Sequence, residues 1–150
     1  MQINCLIVDD EPLSQEVIID FVNDCQELVL KGVCKDAIQA GEWLKTEKID
    51  LLFLDINMPG KTGVELITEL GEKAPFVIFT TAYSDYAAEA FNLNAVHYLL
   101  KPFDQKKFDE AIERASERMS AKISGELINR IKNVIDDLKN KRQVDRDIWI

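Results

Sequence analysis

The sequence predicts an α/β domain built on one parallel sheet, and three observations carry that reading. Five short apolar runs are each bounded by polar or turn residues: INCLIV (3–8), LVLKGV (28–33), LLFL (51–54), FVIFT (76–80) and VHYLL (96–100). Segments with helical spacing lie between them. Runs such as LLFL show no polar alternation, which suits strands buried on both faces, the environment of a parallel sheet. At 150 residues the chain is long enough for one domain with a full core and a little more.

The helical segments follow in order. Val17, Ile18, Phe21 and Val22 recur at helical spacing in the first, and Ala37, Ala40, Trp43 and Leu44 in the second. Val64, Leu66, Ile67 and Leu70 mark the third, Ala87, Ala90 and Phe91 the fourth, and Phe108, Ala111, Ile112 and Ala115 the fifth. Such stripes bury against a sheet. Five strand–helix alternations with short connections place helices on both faces. The Trp, Phe and Leu residues of these stripes read as core and not as cofactor contacts.

From about residue 119 the texture changes. Met119, Ile123, Leu127, Ile131, Val134 or Ile135, and Leu138 recur at three- or four-residue steps among charged residues, continuing the fifth helix with an interruption at Ser124-Gly125. So narrow a stripe makes no core of its own; it suits packing on a partner helix, including its own copy, or a bare linker helix. DRDIWI then reads as the opening of a strand, with the expectation that residues 146–150 begin a truncated output domain.

Charge is uneven. Residues 121–150 carry seven basic and five acidic side chains, and the first 120 carry eleven and twenty-two. A body that acidic should repel phosphate backbones, which makes this segment by itself a poor nucleic-acid binder. No apolar run approaches the ~20 residues that span a bilayer. MQINCLIVDDEP lacks the basic flank of a signal peptide, so a cytoplasmic location is expected. Cys5, Cys25 and Cys34 include no CxxC pair and read as reduced thiols in apolar positions, and His97 is the only histidine, too few ligands for a His/Cys metal site.

The chemistry gathers at strand ends. Asp9, Asp10 and Glu11 follow the first run, Asp55 the third, Thr81 the fourth and Lys101 the fifth. In an open parallel sheet the carboxyl ends of the strands share one edge, where ligands bind. Clustered carboxylates raise one another's pKa unless a cation intervenes, and hard oxygens favour Mg²⁺. A carboxylate beside such a metal can attack a phosphoryl donor and form an acyl phosphate, with Lys101 and Thr81 meeting the developing charge. Singly, each residue is as easily a helix cap or a solvated charge; their joint placement is what argues for a site.

VDDEP, LLFLDINMPG, TTAY and HYLLKPF together resemble the receiver domain of bacterial response regulators, over residues 1 to about 118. The resemblance implies a flavodoxin-like, doubly wound, five-stranded parallel sheet of order 2-1-3-4-5, with the fifth helix extended into a C-terminal helical linker. Domain bounds are then 1–118 for the receiver, 119–145 for a helical linker and dimerisation segment, and 146–150 for the output domain. By the same resemblance Asp55 is the phosphoacceptor. Asp10 and Asp55 bind Mg²⁺ directly, with the Asn57 backbone carbonyl as a third ligand and Asp9 acting through water. Thr81 is the switch hydroxyl, Tyr98 the aromatic that follows it, Lys101 the phosphoryl counter-ion, and Lys101-Pro102 a cis peptide.

The implied phosphoryl source is a sensor histidine kinase or a small phosphodonor. The chemistry is self-modification, so no enzyme is expected. Phosphorylation draws Thr81 inward and remodels the face of the fourth helix, fifth strand and fifth helix, where Tyr86, Phe91 and Phe103 are candidate contacts. That face, the 119–140 helix, or both are the expected homodimer surfaces. Tyr83 occupies a position expected to shield the acyl phosphate. YLLKPF, a long helix and RDIWI are together similar to regulators with a LytTR-type DNA-binding output, so DNA is met only through a domain missing from this chain. Two rivals remain. A haloacid dehalogenase-type, Mg-dependent phosphatase also uses an Asp after an apolar strand, but needs a second carboxylate where Asn57 stands. A phosphate-independent interaction module would leave the acid cluster without a reason.

Overall fold

A computed structural model of the chain describes residues 2–83 and 95–148. The fourth predicted helix, with Tyr86 and Phe91, lies outside the described residues. The chain divides into two compact units, residues 1–115 and 116–150.

The first unit is a five-stranded sheet of β1 (Ile3–Val8), β2 (Leu28–Cys34), β3 (Leu51–Asp55), β4 (Phe76–Thr81) and β5 (His97–Leu100). Their order is β2-β1-β3-β4-β5 and every pairing is parallel. This is the doubly wound arrangement expected from the sequence. Burial explains the texture of each strand. All of β3 and the last five residues of β4 are buried, whereas the edge strand β2 alternates and carries Lys31 to solvent.

The helices of this unit are α1 (Pro12–Asn23), α2 (Ala37–Thr46), α3 (Gly63–Leu70) and the start of α4 (Gln105–Ile148), with a 3₁₀ turn at Gly71–Lys73. Asp36 and Thr62 cap α2 and α3 by accepting from the third backbone N–H beyond them. Pro12 opens α1, where its missing N–H costs nothing. Trp43 lies on Gly32 of β2, so close that a Cβ there would come within 2.5 Å of the indole. Phe108 stacks on Phe53 at 5.7 Å and on Phe21 at 4.9 Å, joining α4, β3 and α1. Cys5 and Cys34 are buried free thiols whose pKa values burial pushes up to about 12 and about 11, which makes them inert filler.

Three local expectations change. Val17, read as part of the buried stripe of the first helix, is 50% exposed, because the apolar face of α1 is centred on Ile18 and Val22 instead. The last helix runs unbroken through Ser124 and Gly125; a lone helical glycine costs about 1 kcal/mol, too little to stop it. It also continues to Ile148, where DRDIWI reads as a strand. A strand needs a neighbour for its backbone groups, whereas a helix adds a bond within itself for each residue gained.

In the second unit Ile123, Leu127, Ile128, Ile131, Val134, Ile135 and Leu138 are all exposed. Among the described residues no helix is long and apolar enough to cross a membrane.

Phe108 is fully buried between two rings, so Phe108→Ala should cost about 3–5 kcal/mol of unfolding free energy. Urea denaturation followed by far-UV circular dichroism measures it.

Candidate functional site

Sheet polarity brings the strand ends together. Asp9 follows β1 and continues its pairing, its backbone N–H donating to the Cys34 carbonyl at 3.0 Å. Asp55 is the last residue of β3, and the Lys101 N–H donates to the Thr81 carbonyl at 2.7 Å, joining the ends of β4 and β5. One carboxylate oxygen from each of Asp9, Asp10 and Asp55 lies within 4.8 Å of the others.

The three acids are treated differently. Asp9 is fully buried and its carboxylate is occupied. Oδ1 accepts from the Glu11 N–H at 2.9 Å, and Oδ2 accepts from Ser14 Oγ at 2.6 Å and Lys101 Nζ at 2.8 Å. Gln15 Nε2 donates to its backbone carbonyl at 2.6 Å. Asp10 is the opposite case: its Oδ1 is buried with no hydrogen-bond partner among the described residues. A buried anionic oxygen without a donor is costly, and a cation beside it removes that cost.

Asp55 lies between these extremes. Its Oδ1 accepts from the Asn57 N–H at 3.2 Å, and its Oδ2 is 3.6 Å from Lys101 Nζ. Burial pushes the carboxyl up to about 6; Lys101 and the Asn57 N–H pull it down, while Asp9 and Asp10 push it further up. The net result is a carboxylate whose ionisation is opposed by its surroundings, a frequent mark of reactive positions. Three hard carboxylates, one with an orphaned oxygen, suit a small divalent cation better than any soft metal.

The loop after β3 is held tightly. Gly60 has φ +80°, a conformation few side chains tolerate. Gly63 enters α3 so close to the strand that a Cβ would meet the Asp55 carbonyl oxygen at 2.5 Å, and its N–H donates to the Ile56 carbonyl at 3.0 Å. On the other side Thr81 is buried and its Oγ1 accepts from the Tyr83 N–H at 3.2 Å. The Tyr98 hydroxyl donates to the Tyr83 carbonyl. The Lys101-Pro102 peptide is cis. Asp55, Asn57, Thr81, Tyr83 and Lys101 line a cleft of about 510 Å³ whose far wall is apolar, formed by Leu13, Val17, Ile18 and Phe103.

Thus Asp55, Asn57, Thr81 and Lys101 line one cleft, Asp9 and Asp10 cluster with Asp55 at its edge, and Tyr98 reaches the loop beside it. Sequence reasoning passed over Ser14 and Gln15, which fix Asp9. Their only trace is a polar pair on the first turns of α1, which any solvent-facing helix would show.

The response regulator receiver domain, as a family model, matches residues 5–113. This chain belongs to that family. The receiver is 40% identical over 116 residues to sensory transduction protein LytT of Enterococcus faecalis, an alignment covering 76% of this chain and 48% of that protein. It is 36% identical over 119 residues to transcriptional regulatory protein BtsR of Escherichia coli, covering 79% and 50%. The receiver thus spans about half the length of the curated relatives it matches. Among solved structures, response regulator TrrA of Thermotoga maritima in complex with Mg(2+)-BeF superposes with a TM-score of 0.67 at 27% identity, over 77% of this chain and 99% of that one. Membership in this family decides against the haloacid dehalogenase-type phosphatase.

Asp55 generates a pH prediction. Its folded pKa of about 6 exceeds the value of 3.8 for a free carboxyl, so the folded state holds the proton more tightly. Stability therefore falls as pH rises through this window and stays lower above it. Without divalent metal, Asp55→Asn should exceed wild type by about 1–3 kcal/mol at pH 7.5. The gain should vanish near pH 4, as read by urea titrations in EDTA.

Proposed function

We propose that this receiver is the phospho-accepting input of a two-component regulator, in which Mg²⁺-dependent phosphorylation of Asp55 switches self-association and a downstream output. The observation that carries the reading is the placement of Lys101 Nζ, 2.8 Å from Asp9 and 3.6 Å from Asp55, at the mouth of a cleft that Asp55 itself lines.

Asp10 and Asp55 would hold Mg²⁺ directly, with the Asn57 backbone carbonyl as a third ligand. Asp9, its oxygens already engaged by Glu11, Ser14 and Lys101, would act through water. The ion when bound neutralises the cluster and the charge on the transferred group. An Asp55 oxygen attacks the phosphorus of a histidine kinase's phosphohistidine or of a small acyl phosphate. The bond to the donor breaks, the leaving group takes its electron pair, and an acyl phosphate remains on Asp55. Lys101 pairs with the phosphoryl oxygens, and Thr81 exchanges the Tyr83 N–H for them by donating its own proton. Tyr98, linked to the Tyr83 carbonyl, follows that movement. The modification ends on the receiver's own side chain with no substrate turned over, so the receiver is a switch and not an enzyme.

The names of LytT and BtsR, with a chain about half their length, support an output in transcription regulation. A LytTR-type DNA-binding domain outside residues 1–150 is the reading we favour, in the cytoplasm and with DNA met only through that domain.

Incubation with acetyl phosphate should add one phosphoryl group by intact mass, only when both Mg²⁺ and Asp55 are present. Uptake by Asp55→Asn would overturn the assignment of the acceptor. No uptake under any condition would favour a phosphate-independent interaction module. Tyr83, 55% exposed at the cleft, should shield the acyl phosphate. Tyr83→Ala is therefore expected to shorten the phosphoryl lifetime severalfold in a mass-resolved decay; an unchanged lifetime would remove this role.

A further inference from the structure

The exposed apolar side chains of α4 have an order that says how they are covered. Between residues 122 and 141, a seven-residue frame with Ser124, Ile131 and Leu138 at its first position (a) puts Leu127, Val134 and Lys141 at the fourth (d) and Ile128 and Ile135 at the fifth (e). Ile123, Arg130 and Asp137 take the seventh (g). The three remaining positions hold Lys122, Gly125, Glu126, Asn129, Lys132, Asn133, Asp136, Lys139 and Asn140, without one apolar residue. The large apolar side chains of this seam are 44–58% exposed, so none of the described residues covers them. An apolar seam bordered by charge on a two-helix repeat is the pattern of helix pairing, and the border residues choose the partner and its direction.

Direction can be read from those borders. In an antiparallel pair of such helices, a-residues of one pack on d-residues of the other, g faces g and e faces e. Setting Ile131 against Val134 of the second copy automatically sets Leu138 against Leu127. The same register brings Ile128 against Ile135 on one border. On the other it brings Arg130 against Asp137, and the two-fold axis repeats every one of these pairings. The layers from Leu127 to Leu138 are apolar on both sides, the seam closes at each end where Ser124 meets Lys141 of the other copy, and the border pairs Ile128–Ile135 and Arg130–Asp137 are matched in kind. In a parallel pair Asp137 would face Arg142, but Arg130 would face Ile135 without a counter-ion and Lys141 would meet its own copy in the seam. Neither Arg130 nor Asp137 has an ion pair or hydrogen bond among the described residues, so both remain available.

We infer that the occupant of this face is a second copy of the same helix, antiparallel, with its two-fold axis between residues 132 and 133 and reciprocal Arg130–Asp137 ion pairs fixing direction and register. The inference rests on the self-association part of the proposed function and on nothing about phosphorylation of Asp55.

The test uses the whole 150-residue chain without phosphodonor, at low ionic strength, with the dimer dissociation constant taken from sedimentation equilibrium. Arg130→Glu alone turns both reciprocal pairs from attraction to repulsion and should raise the constant about tenfold, and Asp137→Arg should do the same. The double reversal restores opposite charges across the interface and should return within about threefold of wild type. Both residues sit on an exposed helix surface, so the receiver fold is not at stake. A double reversal no better than the single ones would overturn the antiparallel register while leaving self-association intact. A chain monomeric at every concentration up to about 100 µM would overturn self-association through this helix as well. Phosphoryl uptake at Asp55, scored separately by mass, is untouched by either result.

Discussion

Three carboxylates meet at the edge of a sheet whose interior is almost wholly apolar, and one ammonium group meets them there. Because β1, β3 and β4 are largely buried on both faces, polar side chains along them are few (Asn4 near the start of β1, Thr80 near the end of β4) and the charged groups appear only where the strands stop. Parallel topology then puts every such stop on the same edge. The acid cluster is thus a product of the fold, and its mutual repulsion must be managed locally. Lys101 manages part of it by bonding Asp9, which Ser14 and the Glu11 N–H also hold. What is left over, the orphaned oxygen of Asp10 and the opposed ionisation of Asp55, defines where chemistry can happen.

This division leaves Asp9 engaged by the protein on both oxygens and Asp10 and Asp55 less so, although all three are aspartates and two are adjacent in sequence. Asp9 accepts enough hydrogen bonds to be satisfied without metal, whereas Oδ1 of Asp10 is buried without a partner among the described residues. A cation entering the site changes the energy of Asp10 and Asp55 far more than that of Asp9. Leu13, Val17, Ile18 and Phe103 give the cleft beside these charges an apolar lining.

The strands were legible because each is a short apolar run with a turn residue at its end, and the helices because three-four spacing survives in every described one. The convergence of Asp9, Asp10, Asp55, Thr81 and Lys101 was also legible, since strand polarity alone places them on one edge. Other features lie beyond a linear reading. Val17 looks like core because it stands beside Ile18, but a helix turns 100° per residue and only one of the two can face the sheet. Ser14 and Gln15 carry no pattern that separates an anchor of Asp9 from any exposed polar pair. DRDIWI has strand composition, yet composition cannot supply the neighbouring strand it would need. The resemblance to receivers named roles that geometry alone does not assign, such as the one for Tyr98.

The contact of Gly63 with the Asp55 carbonyl has a mechanical meaning. On that side the strand end, the Ile56 carbonyl and the first turn of α3 touch at atomic contact, with no slack to take up a displacement. On the opposite side the Thr81 hydroxyl accepts from the Tyr83 N–H at 3.2 Å and the Tyr98 hydroxyl donates to the Tyr83 carbonyl. A disturbance at Asp55 therefore finds close-packed backbone on one side and side-chain hydrogen bonds on the other. Contacts that a bond rotation can exchange yield more readily than packed backbone, so displacement at Asp55 is easier toward Thr81 than toward α3.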